Sequence, residues 1–402
     1  MVEPPHPPYR YSFDDPYLLE PDPLYARLRR DEPVARVKLR YGQESWLVTR
    51  YDAVRAVLRD PRFSRAAAVG PHAPRSSPVF PQGSSMMDVD PPDHTRLRKL
   101  VAAAFTAARV EQLRPRAQEI ADGLVAGMVA DGPPVDLITY FAKPLPVTMI
   151  CEILGVPAAD RNRCFEWSVR SMSTVGPHEQ VAQPYENLRG YLVELIAERR
   201  EKPTADLLSN LVRACEGGQL TEDELVALAR LLLVAGHETT VHHLANSVYA
   251  LLTHPIELAR LREDLSRIPR AVEELLRFVP LAAGAPASQS HARVATTDIE
   301  LDEVTVPAGD AVLAAIISAN RDERVFRDAD VLDLSREHNP HVAFGHGTHL
   351  CLGSHLARME LQVSLATLLS RFPALRLAVP ENEVRWKSGT LVRGPLALPL
   401  TW

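Results

Sequence analysis

One long apolar segment most constrains how this chain can fold. Thr221 and Glu224 stand at the spacing of a capping box, in which a hydroxyl and a carboxylate each bond the other residue's backbone N–H. An almost unbroken apolar pattern runs from there to Leu252, and His254-Pro255 stops it. This predicts a helix of roughly 32 residues, ~48 Å long at 1.5 Å per residue. A helix so long and so apolar must cross the middle of the molecule. With 402 residues, 46% hydrophobic and 24% charged, the chain is folded rather than disordered. A net charge of −6 argues against a nucleic-acid partner, which needs a basic face. No charge-free stretch of ~18 apolar residues suits a bilayer. Met1–Tyr11 lacks the apolar core of a signal peptide, so a cytoplasmic protein is expected, with no membrane association.

Around this helix the class is mainly α with a smaller β-rich part. Val34–Leu39 and Glu44–Thr49 read as strands about Tyr41-Gly42, and Asp52–Leu58 as a helix. Residues 62–89 read as a long Pro-, Ser- and Gly-rich loop, of the kind that is usually functional or mobile. Helical patterning fills Pro92 to about Ala250. A further helix starts at Pro269 and ends before Pro280. Ile299–Val306 and Ala311–Ile317 read as strand, turn, strand around Pro307-Ala308-Gly309, and a last helix spans about Leu352–Ser370. A length prior of ~150 residues per domain suggests two or three domains. No linker or repeat divides the chain, however, and we read residues 1–402 as one domain.

Four cysteines, Cys151, Cys164, Cys215 and Cys351, lie far apart and form no Cys-x-x-Cys, so neither a disulfide framework nor a structural zinc site is expected. Three of them suit the ordinary role of a small buried hydrophobe. Cys351 does not, because Phe344-Gly345-His346-Gly347-Thr348-His349-Leu350-Cys351-Leu352-Gly353 surrounds it with glycines and delivers it to a helix start. Free N–H groups and the partial positive charge there stabilise a thiolate. The glycines let backbone pass close to a flat ligand.

This segment resembles the haem-binding loop of the cytochrome P-450 family, Phe-x-x-Gly-x-x-x-Cys-x-Gly, with Phe344, Gly347, Cys351 and Gly353 at its fixed positions. The resemblance implies the P-450 fold, with haem b between the long helix and the cysteine loop and Cys351 as the iron's axial ligand. Ala235-Gly236-His237-Glu238-Thr239-Thr240 is similar to the family's oxygen-activating motif. There Gly236 removes a side chain where the helix passes over the haem. Thr239 can put its hydroxyl into the helix ladder and open a groove for dioxygen. Glu238 and Thr239 then make an acid–alcohol pair that delivers protons. A zinc protease reading of His237-Glu238 fails, because His242 and His243 fall at i+5 and i+6 rather than i+4.

Glu274 and Arg277 resemble the family's structural Glu-x-x-Arg and meet on one helix face. The third partner is usually an arginine where Val331 stands, so the triad is incomplete unless a neighbour such as Arg336 replaces it. His94 and Arg98, Arg293 and His349 match the positions that hold the haem propionates, a sound charge-assisted arrangement. Gly345 completes the loop contacts. Glu303 stands where the family often has glycine, which should alter only a local turn.

The resemblance covers essentially the whole chain and is greatest to soluble bacterial enzymes that tailor macrolides, polyketides and related antibiotics. It implies monooxygenation, by hydroxylation or epoxidation, with dioxygen and with electrons from a separate ferredoxin and ferredoxin reductase, by a protein acting as a monomer. Arg96, Lys99 and Arg358 are candidates for a basic docking face. Met86, Met87, Leu232, Ala235, Leu281, Ala282, Ala285, Thr390, Leu391 and Val392 are pocket candidates, and their character suggests a bulky, largely apolar substrate. A peroxide-driven haem enzyme and a non-catalytic haem-thiolate binding protein stay open as alternatives.

Overall fold

The computed structural model describes residues 7–11, 19–77, 85–281 and 292–402. Its axis is the expected long helix, Glu222–Thr253, which we call the central helix. Both halves of the Thr221–Glu224 capping box are formed, and the helix is buried along most of its length. Helices Pro144–Leu154, His178–Glu201 and Ser354–Arg371 pack around it. Its apolar residues join theirs in one large core, so the central helix is the hub of the α-rich part. None of the described helices is long and apolar enough to cross a membrane.

The β-rich part is a six-stranded sheet in the order Tyr9–Arg10, Val34–Lys38, Glu44–Val48, Ala311–Ala314, Ala292–Ala295, Phe63–Ser64. Its first and third pairings are parallel and the others antiparallel. A smaller antiparallel sheet joins Val135–Asp136, Pro399–Thr401 and Arg376–Leu377.

Two expectations change. Ile299–Val306 is a hairpin, Ile299–Leu301 with Val304–Val306, rather than one strand. Its two turn residues, Asp302 and Glu303, both have positive φ, 44° and 68°. That is the backbone of a tight primed turn whose twist matches the flanking strands, adopted here without the usual glycine. Ala311–Ala314 then pairs with Glu44–Val48 and Ala292–Ala295, not with its predecessor. The stretch 62–89 is also less irregular than read: Phe63–Ser64 adds an edge strand, followed by a short turn of helix at Ala66–Ala68.

The Glu274–Arg277 pair sits at the junction of the two parts, and both side chains are fully buried. Arg277 donates two bonds to the carboxylate, at 2.8 and 2.7 Å, and holds the carbonyls of Asn320, Ala329 and Val331. Val331 itself is exposed. Arg336 takes the third place, with Nε 3.0 Å from Glu274, and Asn339 and the Asp333 N–H complete the shell. Five donor groups on one buried carboxylate fix the segment that leads into the cysteine loop.

Candidate active site

The central helix, the cysteine loop and the six-stranded sheet enclose a cavity of about 1,090 Å³. Gly345 and Gly347 turn the loop with φ of 75° and 72°. A Cβ on Gly347 would lie 2.7 Å from the Leu58 carbonyl oxygen. This glycine therefore lets the loop pack on the Tyr51–Arg59 helix and is not itself part of the cavity wall, a correction to its reading as a cofactor contact. Phe344 lines the cavity under the Arg358 guanidinium, 4.5 Å above its ring. The Phe344 carbonyl accepts the Cys351 N–H at 2.9 Å.

Cys351 follows three residues after Thr348 and precedes the helix that begins at Ser354. Its thiol opens onto the cavity with protein massed behind it. That burial pushes its pKa up, while the Gly353 N–H, Arg98 and Arg358 favour the thiolate. Gly353 borders the cavity, and a Cβ there would meet nothing within 4 Å.

Ala235, Gly236 and Thr239 of the central helix line the same cavity. Thr239 Oγ1 donates to the Ala235 carbonyl at 3.1 Å, the i−4 bond that loosens a helix ladder. Gly236 has a different reason from the one expected. A Cβ on it would lie 2.5 Å from Ile150 Cγ1, so the missing side chain admits the neighbouring Pro144–Leu154 helix. Glu238 also departs from expectation. It is buried outside the cavity wall, with Oε1 3.1 Å from His242 Nε2 and 3.6 Å from Lys387 Nζ. Burial alone would raise its pKa, but bonding to His242 and the charges of His242 and Lys387 overcome this and bring it to about 2.

At the sheet end, His94, Arg98, Arg293 and His349 all line the cavity. The two imidazoles stack at 4.2 Å. Burial first, then the surrounding cations, lowers His94 to about 4 and His349 to about 2, so both rings are neutral N–H donors near pH 7. Sequence reasoning missed Arg65. The strand Phe63–Ser64 pairs with Ala292–Ala295, which sets Arg65 beside Arg293. Asp90 holds this corner by accepting from the Arg65 N–H at 2.9 Å and the Ser64 hydroxyl at 2.5 Å. Among the described residues none of Arg65, Arg98 and Arg293 has an ion-pair partner. Arg65 Nε, Arg293 Nε, His94 Nδ1 and His349 Nδ1 are buried without hydrogen bonds. Burial pulls Arg65 down to about 9 and Arg293 to about 10.

Among the described residues no set of three His, Cys, Asp or Glu is arranged to hold a metal ion directly. The residues present fit haem instead: one cavity is lined by a thiol, by the Ala235–Thr239 turn of the central helix, and by three guanidinium groups and two imidazoles left for a pair of carboxylates. The Cytochrome P450 family model matches residues 147–272 and 268–397. The chain belongs to the cytochrome P450 family. Nocardicin C N-oxygenase of Nocardia uniformis subsp. tsuyamanensis is 50% identical over 394 residues, 98% of each chain. Mycinamicin IV hydroxylase/epoxidase of Micromonospora griseorubida is 48% identical over 397 residues, 98% of this chain and 99% of that one. The crystal structure of the LnmA cytochrome P450 hydroxylase from the leinamycin pathway of Streptomyces atroolivaceus superposes with a TM-score of 0.89 at 49% identity, over 98% of this chain and all of that one. This P450 is therefore a haem-iron monooxygenase that takes a small molecule and dioxygen. A thiolate-ligated haem supplies electron density for O–O cleavage when bound.

Of the pocket candidates, Met86, Met87, Leu232, Leu281, Leu391 and Val392 line the cavity. Thr390 does not; its hydroxyl donates to the Val392 carbonyl at 2.8 Å and its backbone bridges to Ser173. Ala282 and Ala285 lie outside the described residues. Two docking candidates are already engaged. Arg96 is clasped by Glu224 at 2.6 Å and by Asp93, and Arg358 by Glu273 at 2.7 Å. Lys99 is exposed.

Proposed function

We propose that this P450 hydroxylates or epoxidises a bulky secondary metabolite in antibiotic biosynthesis. Its relatives' names, nocardicin and mycinamicin oxygenases among them, support that class. In this reading Cys351 ligates the iron of haem b, and Arg65, Arg98, Arg293, His94 and His349 hold the propionates. Thr239 holds and passes a proton at the cavity wall, and the Glu238 carboxylate, ionised against His242 and Lys387, acts as a relay behind it rather than as a standing acid. Electrons come from a ferredoxin and its reductase, and the chain works as one domain and as a monomer.

The observation that carries this reading is that one cavity is lined both by the Cys351 thiol and by the turn of the central helix where Thr239 Oγ1 bonds the Ala235 carbonyl. The test is reconstitution with a ferredoxin, its reductase, NADPH and ¹⁸O₂ against a panel of macrolide and β-lactam scaffolds. One labelled oxygen atom in the product is expected. Product formed with peroxide but never with the ferredoxin system would contradict it.

A further inference from the structure

The cavity is charged rather than apolar along part of its lining. Arg230 enters it from the central helix nine residues before Thr239, about 14 Å of helical rise. Its guanidinium lies over the Tyr185 ring at 4.3 Å, which fixes its plane. Its Nε is buried with no hydrogen-bond partner, and the group has no ion pair among the described residues. Three acids, Asp88, Glu186 and Asp223, and a second arginine, Arg189, also line the cavity. Glu186 and Asp223 are exposed, so water and salt screen them. Asp88 is half-buried, and its carboxyl is raised by burial against the pull of Arg65 and Arg230.

We propose that Arg230 anchors a substrate carboxylate, so that the molecule oxidised here is a carboxylic acid whose body runs along Leu231, Val234 and Ala235 toward Thr239. This rests on reading the cavity as a monooxygenase pocket. A planar guanidinium, held by a ring and short of acceptors, matches a carboxylate in two parallel N–H···O bonds. Asp88, the half-buried acid, disfavours a dianionic phosphate more strongly than a single carboxylate. A neutral amide offers one carbonyl acceptor in place of two charged oxygens, so it gives up the charge-assisted, two-bond contact and binds more weakly.

The test is calorimetric titration of the ferric holoprotein with dodecanoate and with dodecanamide, which have the same chain and differ in charge. The wild type is expected to bind the acid at least about tenfold more tightly, the scale of a charge-assisted hydrogen bond. Arg230→Leu and Arg230→Gln are expected to remove that preference, and Arg230→Lys to restore part of it. Equal binding of acid and amide by the wild type overturns the proposal. So does a preference that survives in either the Leu or the Gln variant. Calorimetry reads the preference whatever the chemistry at the iron. A missing thiolate spectrum would thus refute the monooxygenase reading, whereas an intact spectrum without acid preference refutes the anchor alone.

Discussion

Glu238 and Thr239 are joined by one peptide bond and serve different neighbourhoods. Thr239 borders the cavity, while the Glu238 carboxylate turns to His242 and Lys387. Lys387 Nζ also lies 2.6 Å from His242 Nε2, and its side chain is 17% exposed, so this buried cluster has one end toward water. Because the folded protein holds Glu238 near 2 against an ordinary 4.5, its ionisation stabilises the fold fully above about pH 4.5. That contribution is lost as pH falls toward 2. Glu238→Gln should therefore be less stable than wild type at pH 6, and the gap should narrow between pH 4.5 and 2, as read by denaturant unfolding at each pH. A constant gap would mean that Glu238 is not held low. At this scale the sequence showed which residue types were present but not where they pointed. His94, Arg98, Arg293 and His349 could be placed by their motifs, whereas Arg65 follows an edge strand whose pairing with Ala292–Ala295 no local pattern announces.

Helices and loops show why particular residues are needed at particular crossings. Gly236 allows the Pro144–Leu154 helix to approach until Ile150 fills the space of a side chain. Gly236→Ala should cost about 1–3 kcal/mol through overpacking. Adding Gly236→Ala to Ile150→Ala should cost much less, a coupling that chemical denaturation of the four-member cycle measures directly. The Glu274 cluster is the second such crossing. Arg336 replaces the arginine missing at position 331, reaching the same carboxylate from five residues further on. Arg336→Ala should lower stability by about 1.5–3 kcal/mol, the range of a hydrogen bond to a charged group. Val331→Ala should change it by less than about 0.5 kcal/mol, since that side chain is exposed. Thermal unfolding of both variants separates the two roles. Elements with strong punctuation were legible: the capping box and His254-Pro255 bound the central helix within a residue. The Ile299–Val306 hairpin was not, because Asp302 and Glu303 make its turn without glycine or proline.

For the whole molecule, the decisive feature is that two parts with separate cores meet across one cavity. The α-rich core supplies the Thr239 groove and the helix behind Cys351. The sheet supplies Arg293 and sets Arg65 beside it. A length prior that counts cores expects separate domains here, whereas among the described residues both parts line one cavity. Chain order alone could not show that Arg230, Asp88, Glu186 and Asp223 line one cavity, since they come from three distant segments. The central claim is that Cys351 presents a thiolate to haem iron inside this cavity. It is tested most directly by reducing the purified protein, adding carbon monoxide and recording the Soret band. The wild type should show the red-shifted band of thiolate-ligated haem, and Cys351→Ala should lose it while keeping its fold. An unshifted band in the wild type, or a shifted band that survives Cys351→Ala, would contradict the assignment.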